Sequence, residues 1–371
     1  MGSPVPFLDV KGAYVELKPE LDAAALRVLA SGWYILGAEV TAFESAFATH
    51  CGAKHAVGVG NGLEALHLIL AAWDIGPGDE VIVPSNTYIA TWLAVSMLGA
   101  TPVPVEPIVD TMNLDPHRLA AAITPRTRVI LPVHLYGQTP DMSSIMSIAD
   151  AHGLRVLEDA AQAHGAMWRG RKAGTLGHAA AWSFYPGKNL GAAGDAGGVT
   201  TDDDALADRV RMLRNYGSRR KYYNDVRGYN SRLDPMQAAI LGAKLPHLDE
   251  WNRRRARVAA TYLAALSDCP SVVLPAVPDG AIPSWHLFVV RCDARDALQA
   301  HLTAAGIETL IHYPVPPHLS GAYKGATAGE GTFPIAEHMA NTVLSLPIGP
   351  HLTDDQQQQV IAAVRSFRPP R

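Results

Sequence analysis

The chain is poor in cysteine, with Cys51, Cys269 and Cys292 its only three in 371 residues. An odd number of thiols, with only the last two near one another, gives neither a zinc spacing nor a disulfide framework, and we read them as reduced thiols of a cytoplasmic protein. Long apolar runs are missing as well. No stretch reaches about 18 uninterrupted apolar residues, and the opening MGSPVPFLDVKGAYVELKPEL lacks the basic start and apolar centre of an export signal, so neither a membrane span nor secretion is indicated. Neither sign of charge dominates. With 31 Lys and Arg against 35 Asp and Glu, and a formal net charge of −4, composition exerts no general pull toward nucleic acid or an anionic membrane. Any basic site must be local. A metal centre is equally unsupported: none of the 15 histidines falls in an H-E-x-x-H spacing, and prolines separate His312 from His318, which prevents a shared helical face.

What is present is ordinary globular usage, 48% hydrophobic and 18% charged, which excludes disorder and coiled coil. The length exceeds the roughly 100 to 200 residues of one domain, so two domains, or one large α/β unit with an appendage, are expected. Between His55 and Thr201 six short apolar runs, HAVGVG, EVIVPS, TPVPVEP, RVILPVHLYG, RVLEDAA and AAAWSFYP, alternate with helical-period segments such as NGLEALHLILAAW and MSSIMSIADAHG. That rhythm predicts an α/β fold with a mostly parallel sheet and helices on both faces. From Ser231 to Leu266 the pattern is nearly continuous helix, kinked or split at Pro246. We expect a large domain over 1–249 and a smaller C-terminal α+β domain over 250–371. The smaller one contains a strand-like SWHLFVVRC, a helix over 295–306 and the proline-rich HYPVPPHL.

In open parallel sheets ligands gather beyond the carboxyl ends of the strands. After the first run, Gly60, Asn61 and Gly62 lead straight into a helix whose free N–H groups suit a phosphate, although a plain strand-to-helix turn reads the same way. The glycine spacing is wrong for a dinucleotide fold. After the fifth run come Asp159 and Gln162: a carboxylate able to face a protonated ring nitrogen and an amide able to bond a ring hydroxyl, with a helix cap as the alternative for Asp159. After the sixth comes SFYPGKNLGAAGDAGG, where Lys188 stands among glycines. The P-loop pattern fails here at Trp182 and Asn189. What remains is an amine able to form an imine with an aldehyde, in a pocket that lowers its pKa.

EDAAQAHGA, SFYPGKNLGAAGDAGG, LRNYGS and NSRLDPMQAAIL closely resemble the pyridoxal-phosphate-dependent nucleotide-sugar aminotransferases of the DegT/StrS type. The likeness runs in the family's order from PFLDVKGAY to VLSLPIGPHL. It implies an aspartate-aminotransferase-like homodimer in which Lys188 carries pyridoxal 5'-phosphate through an imine and Asp159 holds the ring nitrogen. Gln162 would bond the ring hydroxyl and Tyr88 would stack on the ring. Ser183 and the backbone at Gly62 and Leu63 would hold the phosphate, with Asn230 reaching over from the partner copy. Where many members have Ser-Gly-Thr, this chain has Asn61-Gly62-Leu63, so a hydroxyl contact to the phosphate is absent.

The implied reaction passes an amine from L-glutamate through pyridoxamine phosphate to a keto sugar. The wording of SGWYILG, GVGNGLEAL and PSNTYIATW is most similar to enzymes that aminate C3 of TDP-linked 6-deoxyhexoses, with C4 amination as the alternative. Lys221, in the basic cluster Arg211, Arg214, Arg219 and Arg220, is expected at the diphosphate. Tyr34 beside Trp33, and His312 with Tyr313, are expected sugar contacts, whereas Arg253, Arg254, Arg255 and Arg257 read as an exposed helix face. A sugar dehydratase is a rival on this scaffold, but some of those relatives carry histidine at the lysine position. A regulator without catalysis is another, and it would be expected to have lost Lys188 or Asp159.

Overall fold

The computed structural model describes residues 4–325 and 329–370. All six apolar runs are strands: β1 His55–Val59, β2 Glu80–Pro84, β3 Thr101–Val105, β4 Thr127–Ile130, β5 Arg155–Asp159 and β6 Ala179–Ser183. A seventh, β7 over Gly197–Thr201, completes the sheet in the order β1-β7-β6-β5-β4-β2-β3. β7 runs antiparallel to β1 and β6, while the other pairings are parallel. Sequence reading missed β7 because GGVTT carries two glycines and one aliphatic. Packing explains the first of them. A Cβ on Gly197 would lie 2.3 Å from the backbone carbonyl of Asn61, so only glycine lets this strand pass the loop after β1.

Helices cover both faces of the sheet and form two separate apolar cores. One gathers Phe43, Phe47, Trp182 and Phe184, with Phe47 edge-on to both Trp182 and Phe184. The other gathers Leu66, Ile69, Leu70 and Trp92. The helix Gly62–Ala72 starts where the side chain of Asn61 accepts the Glu64 N–H at 2.9 Å. Leu68, Ile69 and Leu70 are all fully buried, so this helix is enclosed rather than amphipathic.

The long helical segment is split as its proline predicts: Pro235–Lys244, a 3₁₀ turn Leu245–His247, and Leu248–Ala265. It begins at Pro235 rather than Ser231, because proline fits the first helical position and holds Asp234 extended, where that side chain caps the Gln237 N–H at 2.9 Å. Beyond it, Phe288–Arg291 pairs antiparallel with Val343–Leu346, and both pack with Val258, Tyr262, Leu298, Leu302, Val360 and Val364 in a third core. Val5, at the start of the chain, is buried in that same core. Its N–H donates to the Gly306 carbonyl at 2.9 Å and its carbonyl accepts from Glu308 N–H at 3.0 Å. The segment 6–9 therefore crosses from the third core to the first helix, Val10–Glu16, and passes over the end of the sheet where Lys188 lies.

Candidate active site

β5 delivers Asp159 at its carboxyl end, buried, with Oδ2 accepting from the Thr91 hydroxyl at 2.9 Å and Oδ1 from the Ala161 N–H at 3.2 Å. No helix starts there, so the carboxylate does not cap one. Burial pushes its pKa up, against the Thr91 and Ala161 hydrogen bonds and the charges of Lys188 and His134. The loop after β6 folds back on itself through Ala192 N–H to Phe184 O and Lys188 N–H to Tyr185 O, each 2.8 Å. This holds Lys188 beneath the sheet end. Burial brings its amine down to about 8, with the negative charge of Asp159 opposing that fall. The two groups interact through space without a hydrogen bond between them.

Gln162 is held by two bonds: its Oε1 accepts the Tyr136 N–H at 2.6 Å and its Nε2 donates to the Tyr313 hydroxyl at 3.0 Å. Tyr313 in turn lies 5.1 Å from the ring of Tyr88, tilted 35°, and Tyr88 remains 54% exposed. His312 shares a 2.8 Å hydrogen bond with Ser345 Oγ, and burial, with Lys188 nearby, lowers its pKa to about 4. A cavity of about 330 Å³ opens among Gln162, Lys188, His286, His312 and Tyr313, walled by Phe7, Leu8, Leu287, Leu310 and Ile348. At the head of the helix Gly62–Ala72, the N–H groups of Gly62 and Leu63 have no acceptor within the helix, as helix geometry requires. A Cβ on Gly62 would meet Cβ of Ser183 at 2.7 Å, so the helix start and the end of β6 touch there.

Seven sequence-derived residues thus surround one region: Lys188, Asp159, Gln162, Tyr88, His312 and Tyr313, with Ser183 beside the Gly62–Leu63 turn. Of these, Lys188, Gln162, His312 and Tyr313 line the cavity; Asp159, Tyr88 and Ser183 do not, nor do Tyr34, Lys221 and Asn230. Tyr34 is exposed and its hydroxyl donates to the Leu29 carbonyl at 3.1 Å. Lys221 sits on the exposed hairpin Ser218–Asn224, its amine 5.1 Å from the Tyr222 ring, and Asn230 is exposed in a bridge with Asn215.

Two arginines of the sequence-derived basic clusters are buried. Arg214 is buried, donating to the Gly58 carbonyl at 2.6 Å and pairing with Glu44, so it braces β1 and is no solvated cation. Arg255 is 3% exposed and donates to the carbonyls of Trp285, His286 and Ile348, while Arg253 and Arg257 stay exposed. Residues that sequence reading passed over are Thr91, within the quoted SNTYIATW; His286, within SWHLFVVRC; and the fully buried pair His134 and Glu158 at 2.8 Å. Glu158 also accepts the N–H groups of Gly174, Leu176 and Gly177, which pins the loop behind Asp159.

A half-buried lysine whose amine is brought down by desolvation, near a buried carboxylate at the carboxyl ends of a parallel sheet, points to an imine-forming enzyme class. Comparison with known proteins narrows it: the chain belongs to the DegT/DnrJ/EryC1/StrS aminotransferase family, whose model matches residues 15–365. It is 59% identical to a dTDP-3-amino-3,4,6-trideoxy-alpha-D-glucose transaminase of Streptomyces venezuelae, over 98% of this chain and 96% of that protein. It is 53% identical to a dTDP-3-amino-3,6-dideoxy-alpha-D-galactopyranose transaminase of Aneurinibacillus thermoaerophilus, over 98% and 99%. A crystal structure of S. venezuelae DesV in complex with a ketimine intermediate superposes with a TM-score of 0.97, at 59% identity and 98% coverage of both chains.

Proposed function

We propose that the protein is a sugar transaminase that moves an amino group from L-glutamate to the C3 keto group of a dTDP-linked 6-deoxyhexose, using pyridoxal 5'-phosphate bound at Lys188. The observation that carries this reading is the Lys188 amine, brought down toward neutrality by burial and within electrostatic reach of buried Asp159. Two relatives whose names specify 3-amino sugars support C3 over C4. The residues fit the cofactor. Lys188 Nζ would bind its aldehyde carbon and Asp159 its ring nitrogen, Gln162 its hydroxyl, and Tyr88 its ring face. Ser183 Oγ with the Gly62 and Leu63 N–H groups would hold its phosphate, joined by Asn230 of a second copy. When bound, the electron-poor ring stabilises negative charge on the carbon that bears the amine.

The chain's own tasks follow from its geometry. With the cofactor and amino donor bound, Lys188 Nζ would be a neutral amine placed to take up and hand on the donor's Cα proton. Asp159, kept from water, holds a proton on the ring nitrogen. The apolar wall of Phe7, Leu8, Leu287, Leu310 and Ile348 excludes water and suits the methyl of a 6-deoxy sugar. Asn61 caps the helix through its side chain, so the phosphate is left to backbone N–H groups and Ser183. Exposed Trp33, Tyr34 and Ile35, together with Tyr222 and Tyr223 on the hairpin, support a homodimer in which Asn230 and Lys221 serve the partner's pocket. No helix among the described residues is long and apolar enough to cross a membrane. On this reading the enzyme works in the cytoplasm.

The test is product analysis with 3-keto and 4-keto dTDP sugars plus glutamate. Nitrogen on C3 with release of 2-oxoglutarate is the expected result; a sugar that loses oxygen without gaining nitrogen overturns it in favour of a dehydratase. The purified protein should be yellow, and Lys188→Ala should abolish the borohydride-reducible linkage.

A further inference from the structure

His286 lines the same cavity as Lys188, and the mechanism above gives it no task. Its tautomer can be deduced from the amides around it. Asn252 Nδ2 donates to the His164 carbonyl at 2.8 Å, so Asn252 Oδ1 is an acceptor. Asn189 Nδ2 donates to that oxygen at 2.9 Å and to the Ser284 carbonyl at 2.8 Å. A carbonyl oxygen cannot donate, so both amide orientations are fixed. Asn189 Oδ1 therefore accepts at 3.1 Å from His286 Nδ1, which must carry the proton. Burial, with Lys188 and Arg255 nearby, holds the imidazole pKa well below its ordinary value, so the ring is neutral and Nε2 offers a lone pair. That nitrogen has no hydrogen-bond partner among the described residues, in a cavity whose walls are mostly apolar. It is not sealed off, so a donor on a ligand in the cavity can reach it, and the Nδ1 bond to Asn189 keeps the ring from turning away.

We infer that His286 is a substrate-binding residue whose Nε2 accepts a hydrogen bond from an O–H or N–H of the bound substrate, and that Asn189, next in sequence to Lys188, is the positioning residue that fixes its tautomer. This rests on the transaminase reading for the nature of the substrate. The donor is a sugar hydroxyl or the ammonium of the amino acid, and the two are separable.

The experiment is calorimetric titration of the cofactor-loaded protein with the dTDP-3-amino sugar and, separately, with glutamate, for the wild type, His286→Phe and His286→Gln. Far-ultraviolet circular dichroism and the cofactor's absorbance establish that each variant is folded and loaded. His286→Phe should weaken one ligand at least tenfold and leave the other within twofold, and His286→Gln, which keeps an acceptor, should recover part of the loss. Weakening of the sugar assigns the hydroxyl; weakening of glutamate assigns the ammonium. If His286→Phe binds both ligands as the wild type does, the inference is wrong. It is equally wrong if His286→Gln binds no better than His286→Phe. Should His286→Phe fail to fold, His286→Leu takes its place under the same criteria. A wild type that binds neither ligand overturns the transaminase reading and this inference with it, whereas tight wild-type binding with an indifferent His286→Phe overturns the inference alone.

Discussion

In the cofactor-free protein the Lys188 amine should titrate near pH 8. Its ordinary value is 10.5, and burial brings it to about 8 against the pull of Asp159. That difference corresponds to about 3 kcal/mol in favour of the neutral amine. At pH 8 about half the molecules then carry a nucleophilic lysine, compared with roughly 0.3% for a lysine in water, a gain on the order of 150-fold. The assay is the rate at which an amine-selective reagent labels Lys188 in the cofactor-free protein, followed by peptide mass spectrometry from pH 6 to 11 beside a short lysine peptide. Labelling of Lys188 should be half-maximal near pH 8. Asp159→Asn removes the anion that raises the lysine's pKa, so its midpoint should move lower still. A midpoint at 10 or above, or one that rises in Asp159→Asn, would refute the idea that burial activates this amine.

The same titration couples to folding. Between about pH 8 and 10.5 the unfolded chain still holds the lysine proton that the folded one has released, so the urea-measured stability of the cofactor-free protein should rise with pH across that window, by up to about 3 kcal/mol relative to Lys188→Met. Gly197→Ala places a methyl 2.3 Å from the Asn61 backbone; it should cost about 1–3 kcal/mol in denaturant midpoints and weaken cofactor affinity by displacing the phosphate turn, whereas normal cofactor binding would separate that turn from β7. Asn61→Ala removes a helix cap and should cost about 1 kcal/mol in thermal unfolding, with Asn61→Ser recovering most of it. Arg255→Met leaves three carbonyls without their shared donor and should destabilise by about 1–3 kcal/mol, an effect that an exposed-face arginine would not give.

Much of the sheet was legible because a parallel strand buried on both faces reads as a continuous apolar run, and six such runs stood between turn residues. β7 was not, since its first glycine, Gly197, answers to the backbone of Asn61, 136 residues away in sequence. Lys188 and Asp159 were legible for a different reason: each sits just past an apolar run, where such sheets place chemistry. Arg255 was misread although its sequence carried the signal. Val258, Ala259 and Tyr262 follow it at three, four and seven positions, and all are buried, so helical spacing puts Arg255 on the inner face while Arg253, Arg254 and Arg257 share the outer one. Composition alone makes the arginine run look uniformly exposed, whereas its periodicity separates Arg255 from its neighbours. His286 carried no such signal, because its acceptor role depends on amides at positions 189 and 252 that only the fold brings together.

The chemistry at Lys188 depends on chain segments that the sheet does not contain. The strands place the amine and the carboxylate, yet a lysine at a sheet edge open to water would keep its ordinary pKa. The walls that desolvate it are Phe7 and Leu8 from the chain start, Leu287 and Leu310, and Ile348 from the third core. Phe7 is in turn anchored, its N–H donating to Glu308 at 3.1 Å, two residues after Val5 joins the backbone at Gly306 and Glu308. The amide chain from Asn252 through Asn189 to His286 ties the lysine loop to that same core. Reactivity is therefore a property of the closed junction between the sheet and the third core, and a substitution that loosens either the chain start or the amide chain raises the lysine's pKa without touching Lys188 or Asp159.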